Sequence, residues 1–319
     1  MAGAGSEVRS VAVTGADGFI GRALVAHLRS MRTEMRAITR ATHGDLATAD
    51  ATQLVESLRG VDVIFHLAAR AHVMHEREAD PEAAFHAANV VATERVARAA
   101  RDAGVGRFVL ASSAKVAGEA SLPGKPLRIE DDPAPQDAYA RSKWDAERAL
   151  SDIADGSSMS TVVLRLPLVY GPGVRGNFRT LWDAVARRQW LPFAAVDNRR
   201  SMIGLGNLAE AFAAAIAAPS GTYFVADAES VSTPQLIRAI AAAQQVDANL
   251  AYVPVPLLRL LGKLLGRSAA MQRLTSSLEV DSGPFRAAAG YVPSLAIDDT
   301  LRAMAGEANR RPHPFGDDA

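Results

Sequence analysis

The segment from Val8 to Gly21 constrains the fold more than any other part of the chain. Val8 to Thr14 alternates toward an apolar strand and runs straight into Gly15-Ala16-Asp17-Gly18-Phe19-Ile20-Gly21. An amphipathic stretch, Arg22 to Met31, follows. Strand, glycine turn and helix in this order form the setting of a phosphate-binding loop. Glycines permit the tight turn and let backbone approach a pyrophosphate. The helix N-terminus adds free N–H groups and the positive end of the helix dipole. The spacing here is G-x-x-G-x-x-G rather than G-x-G-x-x-G, and three glycines falling in a turn by chance is the other reading.

The pattern continues as alternating strands and helices. Met35 to Thr39 reads as a second strand ending at Arg40, which stands 19 residues past Gly21. An Asp or Glu at about 20 residues grips the ribose of NAD, whereas an arginine suits the 2′-phosphate of NADP. Arg36 is nearby; a solvated arginine at a strand end is the competing reading of Arg40. Val61 to Ala69 is a buried strand ending in small residues, which leaves room for a cofactor. His66 at its end reads as a packed, hydrogen-bonded histidine rather than a ligand. His72 and His75 invite a metal reading, but no metal site is expected. Asn89 to Ala103 reads as a helix, and Phe108 to Ala111 as a strand ending in Ser112-Ser113. Such alternation means a parallel sheet, with ligands beyond the carboxyl ends of its strands. Gly15, His66, Ser112 and Ser113 all fall at such ends.

Composition narrows the function. The 319 residues suit about two domains, and 49% hydrophobic with 22% charged residues is ordinary for a globular chain. Lys+Arg and Asp+Glu are both 35, so a general nucleic-acid surface is not expected. The absence of cysteine excludes disulfides, thiolate metal sites and cysteine nucleophiles. No signal-peptide core or long apolar run is present, so the expected location is the cytoplasm, without an integral membrane segment.

Tyr139-Ala140-Arg141-Ser142-Lys143 places Tyr139 and Lys143 one turn apart on one helix face. A tyrosine ordinarily titrates near 10. A neighbouring ammonium favours the phenolate and should lower that value, which would let Tyr139 move a proton to or from an alcohol or sugar oxygen. A solvated helix face is the alternative for this spacing taken alone.

Together, TGADGFIG (14–21), GDL (44–46), HLAA (66–69), Asn89, SS (112–113), YARSK (139–143), RLPLVYGPG (165–173) and Arg200 resemble the extended short-chain dehydrogenase/reductase family of nucleotide-sugar epimerases, dehydratases and reductases. The resemblance runs from residue 8 to about 300. It implies an α/β fold: a Rossmann-type doubly wound parallel sheet with a smaller C-terminal substrate-binding domain. Residues 1–170 would form the NAD(P) domain with returning segments at about 198–226, and 171–305 mainly the substrate domain. The implied cofactor site is Gly15, Gly18, Phe19, Ile20, Gly21, Arg40, Asp45, Leu46, Leu67, Ala68, Ala69, Asn89, Ser112, Tyr139, Lys143 and Pro167. Tyr139 resembles the family's acid/base. Lys143 would bind the nicotinamide ribose and tune Tyr139, and Ser113 would orient the sugar oxygen. Arg200 resembles the arginine that binds the substrate diphosphate, and Asn177 the asparagine at the entry to the substrate domain. Arg273 is either a second diphosphate ligand or a salt-bridged surface residue.

Departures from the family pattern also inform. The 4,6-dehydratases carry an Asp-Glu pair where this chain has Ala114-Lys115, so elimination of water is disfavoured. Lys115 either holds a substrate hydroxyl or phosphate, or points to solvent. HLAARAHVM (66–74), SSAKVAGE (112–119), RLPLVYGPGVRGNF (165–178) and NRRS (198–201) are similar to one branch, the reductases of UDP-4-keto-6-deoxy-N-acetylhexosamine in bacterial surface polysaccharide synthesis. Gly204 and Gly206 stand where that branch carries bulkier and acidic residues.

The second half is less periodic. Thr180 to Arg188, Leu208 to Ala218 and Thr233 to Gln244 read as helices, and Tyr223 to Ala226 as a strand. Pro256 to Gly266 is Leu-rich; a core-facing helix is favoured over one lying on a membrane. Residues 306–319 read as a disordered tail. The resulting expectation is an oxidoreductase using NAD or, preferably, NADP, acting at C4 of a UDP-sugar, as a homodimer. A UDP-hexose 4-epimerase is the alternative, and a non-catalytic NADP-sensing regulator a distant one.

Overall fold

The computed structural model describes residues 8, 10–71, 80–122, 124–266 and 268–310. His72 and His75 therefore lie outside the described residues. The first part runs β1 (Ser10–Thr14), α1 (Phe19–Ser30), β2 (Glu34–Ile38), α2 (Arg40–His43), α3 (Ala51–Leu58), β3 (Val63–His66), α4 (Pro81–Phe85), a π-helical turn (His86–Val91), α5 (Ala92–Asp102), β4 (Arg107–Ser113), α6 (Ala138–Ala154) and β5 (Ser160–Leu166). There follow β6 (Leu168–Tyr170), α7 (Gly176–Ala186), β7 (Met202–Gly204), α8 (Leu205–Ala214), β8 (Gly221–Phe224), α9 (Thr233–Ala243), α10 (Val255–Leu264), α11 (Ser268–Thr275), α12 (Gly283–Ala289) and α13 (Ile297–Arg310).

Six parallel strands form one sheet in the order β2-β1-β3-β4-β5-β8. Parallel neighbours need crossovers, which helices supply on both faces. Both faces are therefore buried, and the strands read as nearly unbroken apolar runs. Val11, Val13, Phe65, Val109, Val162 and Leu164 face Leu24, Leu28, Leu208 and Phe212 of α1 and α8. The alternate residues Ala12, Ile64, Phe108, Leu110 and Val163 face Leu54, Val96, Ala100 and Leu150 of α3, α5 and α6. A third core, with Tyr170, Phe178, Trp182, Phe193, Ile237, Ile240 and Leu301, belongs to the second part. There β6 and β7 pair in parallel as a separate small sheet. The chain then returns to the large sheet: α8 packs on α1, and β8 extends the edge at β5.

Three expectations change. The helix from Asn89 begins as a π turn, in which Asn89 and Val90 are buried. The C-terminal helix α13 continues to Arg310, so the expected tail at 306–310 is helical. The Leu-rich α10 meets the third core along one edge only: Leu258 enters that core and Gly262 is buried, while Leu257, Leu260, Leu261, Leu264 and Leu265 are exposed.

Helix α6 is fixed at both ends of its working face. Asp137 caps its N-terminus, accepting from Ala140 N at 2.7 Å. Two turns on, Glu147 meets Arg165 of β5 at 2.8 Å, with both side chains 4% exposed. Glu147 also accepts from the Ser112 hydroxyl, and the Arg165 guanidinium lies over the Trp144 ring. Removing one partner of a buried pair strands the other charge and costs about 3–5 kcal/mol, while replacing both with apolar groups is far less harmful. Glu147→Ala should accordingly lower the unfolding free energy in urea by about 3–5 kcal/mol. Glu147→Leu combined with Arg165→Met should lose much less.

Candidate active site

The sheet order reverses between β1 and β3, the point at which such sheets take ligands beyond their strand ends. Gly15 follows β1 with φ +65°, and a Cβ on it would stand 2.9 Å from Ala68 N. A Cβ on Gly21 would collide with the Gly15 carbonyl oxygen. The glycines thus bring the turn against both α1 and the end of β3, so their positions are set by packing rather than by chance. Helix α1 starts at Gly18 with no side-chain cap and no acidic residue in its first turn. The N–H groups around Phe19 and Ile20 are left for an anion.

A hydrogen-bond chain ties these strand ends together. Leu67 N and Ala68 N both donate to Thr14 Oγ1 at 3.2 Å. The Thr14 hydroxyl therefore gives its proton to His66 Nδ1, 2.8 Å away. His66 Nε2 then donates to Thr93 Oγ1 at 3.1 Å, and Thr93 donates to the Asn89 carbonyl at 2.6 Å. His66 is a packed neutral histidine; burial and then the Lys143 charge push its pKa down to about 3. The Asn89 side chain accepts from Arg70 N at 2.8 Å and donates to Arg70 O and Ser142 Oγ. Asn89, assigned to the cofactor by resemblance, is a strut between the β3 end and α6.

At the β2 end, Arg40 is exposed at the start of α2, and its side chain has no hydrogen-bond or ion-pair partner among the described residues. Arg36 is placed elsewhere: it donates to the carbonyls of Ser57 and Arg59 at the end of α3. Asp45 is exposed and accepts from Ala47 N at 2.9 Å, while Leu46 points into the core. Ala69 is exposed, and Pro167 is buried between β5 and β6.

Tyr139 and Lys143 stand one turn apart on α6. Ser113, ending β4, lies beside the Tyr139 phenol. The Tyr139 ring also packs on Phe85, centroids 6.0 Å apart. Its titration runs against expectation: burial first, opposed by Ser113 and assisted by Asp137, raises the pKa to about 12. Burial outweighs any help from Lys143, so Tyr139 rests as a phenol. Lys143 is 3% exposed, without a hydrogen-bond partner among the described residues, and burial brings its pKa down to about 8 despite Glu147. A buried ammonium with no partner calls for a ligand.

Two assignments are corrected. Ser112 lies on the opposite side of β4 from Ser113, and its hydroxyl is taken by Glu147. It supports the site rather than the cofactor. Lys115 neither reaches outward nor stays free: its ammonium binds Asp137 at 2.5 Å and Glu119 at 3.0 Å. These bonds outweigh desolvation and raise its pKa. Lys115 thereby clamps the cap of the helix carrying Tyr139.

On the lid side, Arg200 donates to the carbonyls of Arg273 and Ser276 at 2.8 and 3.0 Å. Burial and then the nearby Arg273 charge lower its pKa. Two like charges held together suit a dianion. The exposed Arg273 is not salt-bridged among the described residues, contrary to its surface reading. Asn177 is exposed in the first turn of α7. Gly204 and Gly206 have a steric reason: a Cβ would meet Thr300 Oγ1 at 2.7 Å and Leu295 Cδ1 at 2.6 Å. Sequence reasoning missed Glu147, whose i+4 spacing after Lys143 was the available signal. It also missed Asp227, which accepts from Tyr170 OH, Gly204 N and Asn207 Nδ2.

Residues 11–226 match the NAD dependent epimerase/dehydratase family. The chain belongs to this family. It is 35% identical to a UDP-glucose 4-epimerase of Vibrio cholerae, covering 95% of this chain and 97% of that protein. It is 26% identical to a 2-alkyl-3-oxoalkanoate reductase of Stenotrophomonas maltophilia (strain K279a), covering 92% and 98%. The fold matches the Thermotoga maritima UDP-glucose 4-epimerase solved with UDP-glucose, with TM-score 0.76, 18% identity, and 94% and 99% of the two chains covered. No described helix of this family member is long and apolar enough to cross a membrane.

Lys143 provides a test of the site's electrostatics. Its folded pKa, about 8, lies below the ordinary 10.5. The ammonium therefore destabilises the fold below pH 8, and the penalty fades between pH 8 and 10.5. The shift corresponds to about 3 kcal/mol. Lys143→Met should unfold at a higher temperature than wild type at pH 7, with the gap closing toward pH 10, and should lose activity. Thermal melts across that range check it.

Proposed function

We propose that this chain is an NADPH-dependent reductase acting at C4 of a UDP-4-keto-6-deoxy-N-acetylhexosamine, in surface polysaccharide synthesis. The observation that carries the reading is the placement of Tyr139 one helical turn from the buried Lys143, whose ammonium has no hydrogen-bond partner among the described residues, with Ser113 beside Tyr139 at the end of β4. Reduction of a ketone needs an acid at its oxygen, and Tyr139 rests in the acid form. The turn from Gly15 to Gly21, the start of α1, Leu67, Ala68 and Lys143 would hold the dinucleotide. Arg40 would meet its 2′-phosphate. When bound, the nicotinamide supplies the hydride that C4 accepts.

The other parts follow from the chain. Ser113 holds the C4 oxygen in hydrogen-bond reach of Tyr139. The Tyr139 proton passes to that oxygen, giving the C4 hydroxyl and a phenolate. The Lys143 ammonium lowers the energy of that phenolate and anchors the nicotinamide ribose. Arg200 and Arg273 bind the diphosphate, with Asn177 at the entry. Both reactants belong to the cytoplasm, where we place the activity.

An epimerase is the second reading, favoured by the Vibrio cholerae relative. It would begin by oxidising a C4 hydroxyl, which requires Tyr139 as phenolate. Purified protein should oxidise one NADPH per keto sugar, and should leave UDP-glucose unchanged without added cofactor. Tyr139→Phe should slow turnover by roughly 10²–10⁴-fold, and Arg40→Ala should abolish a preference for NADPH over NADH. Conversion of UDP-glucose to UDP-galactose with no NADPH oxidation on the keto sugar would establish the epimerase instead.

We also propose a homodimer through α5 and α6. Their apolar sides face the sheet and each other, so the outer surface offered is polar, with Arg98, Arg141, Arg148 and Asp152 exposed. Light scattering at micromolar concentration should give twice the chain mass, decreasing as salt is added; a monomer at low salt refutes it.

A further inference from the structure

The exposed face of α10 has no role in the chemistry above. Leu257, Leu260, Leu261, Leu264 and Leu265 lie outward, with Leu264 73% and Leu265 69% exposed. At 3.6 residues per turn they cover an arc of about 140° on one side of the helix. The buried pair Leu258 and Gly262 lies beyond one edge of this arc, and Lys263 and Arg259 beyond the other. Trp190 and Tyr252 are also exposed. They flank the Leu191–Leu250 bridge that immediately precedes α10. An isolated exposed leucine is unremarkable, but five on one face with two aromatic residues nearby mark a contact surface.

The charge near this face selects the partner. From Ala248 to Leu278 there are four cations, Arg259, Lys263, Arg267 and Arg273, and no carboxylate. The whole chain is neutral, so this is a local excess. Neither Arg259 nor Lys263 has an ion-pair partner among the described residues. A protein partner of ordinary composition would not require a leucine face bordered by cations alone. An anionic lipid surface does: leucines enter the acyl boundary, long cations reach the headgroups, and Trp and Tyr occupy the interface.

We propose that α10 is a membrane-surface helix that docks the protein reversibly on anionic bilayers. Helix α10 packs on α11, which carries Arg273, whose carbonyl holds Arg200. Docking would set the lid, rather than the cofactor site, against the lipid. No covalent or spanning anchor is needed, since a single amphipathic helix with basic residues gives reversible binding.

The full-length protein should float with vesicles of phosphatidylcholine mixed with phosphatidylglycerol, and much less with phosphatidylcholine alone. Raised salt should reduce the bound fraction. Leu260→Ser with Leu264→Ser should abolish flotation. Lys263→Glu, a change of two charges, should weaken it roughly 10-fold or more. Circular dichroism and turnover of a soluble substrate should be unchanged in each variant, so failure of this proposal is distinguishable from failure of the reductase reading. Absence of flotation by wild type, or flotation unaffected by all three substitutions, overturns the proposal. So does a fall in light-scattering mass on Leu260→Ser with Leu264→Ser in the absence of lipid, which would make the face an interface between copies of this chain.

Discussion

The buried carboxylate of Glu147 sets the position of everything that reacts. It joins α6 to β5 through Arg165 and to β4 through Ser112. Lys143 is one turn before it and Tyr139 two, so the depth of Glu147 fixes the height of both above the strand ends. The charges do not cancel: Arg165 and Lys143 are two cations around one carboxylate. Burial is the main reason that His66 is neutral, with the Lys143 charge second. The strand ends are positive before any ligand enters, from the Lys143 ammonium at one side and the open start of α1 at the other. With the dinucleotide proposed above in place, the buried ammonium of Lys143 would gain the anionic partner that it lacks among the described residues.

Much of this arrangement was legible because it is local. Gly15, Gly18 and Gly21 are dictated by a turn that has no room for a Cβ, and the need is written in adjacent residues. Tyr139 and Lys143 share a face through helical period alone, and the alternation of strands with helices gives the parallel sheet. The missed features depend on contacts between distant segments. Ser112 and Ser113 look equivalent in the chain, yet the pleat turns one to Glu147 and the other to Tyr139. Lys115 looks free until Asp137, 22 residues later, is folded against it. The leucines of α10 have the period of a core helix. Only the fold shows that Leu258 and Gly262, rather than the leucine stripe, face inward.

The titration of Tyr139 shows how magnitudes settle a question that motifs leave open. The spacing to Lys143 argues for a lowered pKa, because an adjacent cation favours the phenolate. Burial acts on the same group in the opposite sense and is the largest influence, and Asp137 adds to it. Lys143 is itself desolvated to a pKa of about 8, so it is a weaker source of positive charge than an exposed lysine near and above that pH. Asp137 is meanwhile restrained by Lys115, which lowers its pKa and blunts its repulsion of a phenolate. The Lys115 clamp thus acts on Tyr139 in two ways: it holds the helix start, and it partly neutralises the nearest carboxylate.

Asp227 completes the comparison with Glu147, because a second buried carboxylate is handled by different means. Burial raises its pKa, and hydrogen bonds from Asn207, Gly204 and Tyr170 oppose that rise. No cation is involved. Its three donors come from β6, the end of β7 and the start of α8, which is where the chain leaves the small sheet and returns to the large one. Asn207 also donates to Leu295 O and accepts from Ser294 N and Leu295 N. The side chains of Leu295 and Thr300 stand so close to positions 206 and 204 that a Cβ at either would displace them. The two glycines and the asparagine therefore belong to one solution, in which neutral donors and close backbone packing, rather than an ion pair, join the lid to the sheet.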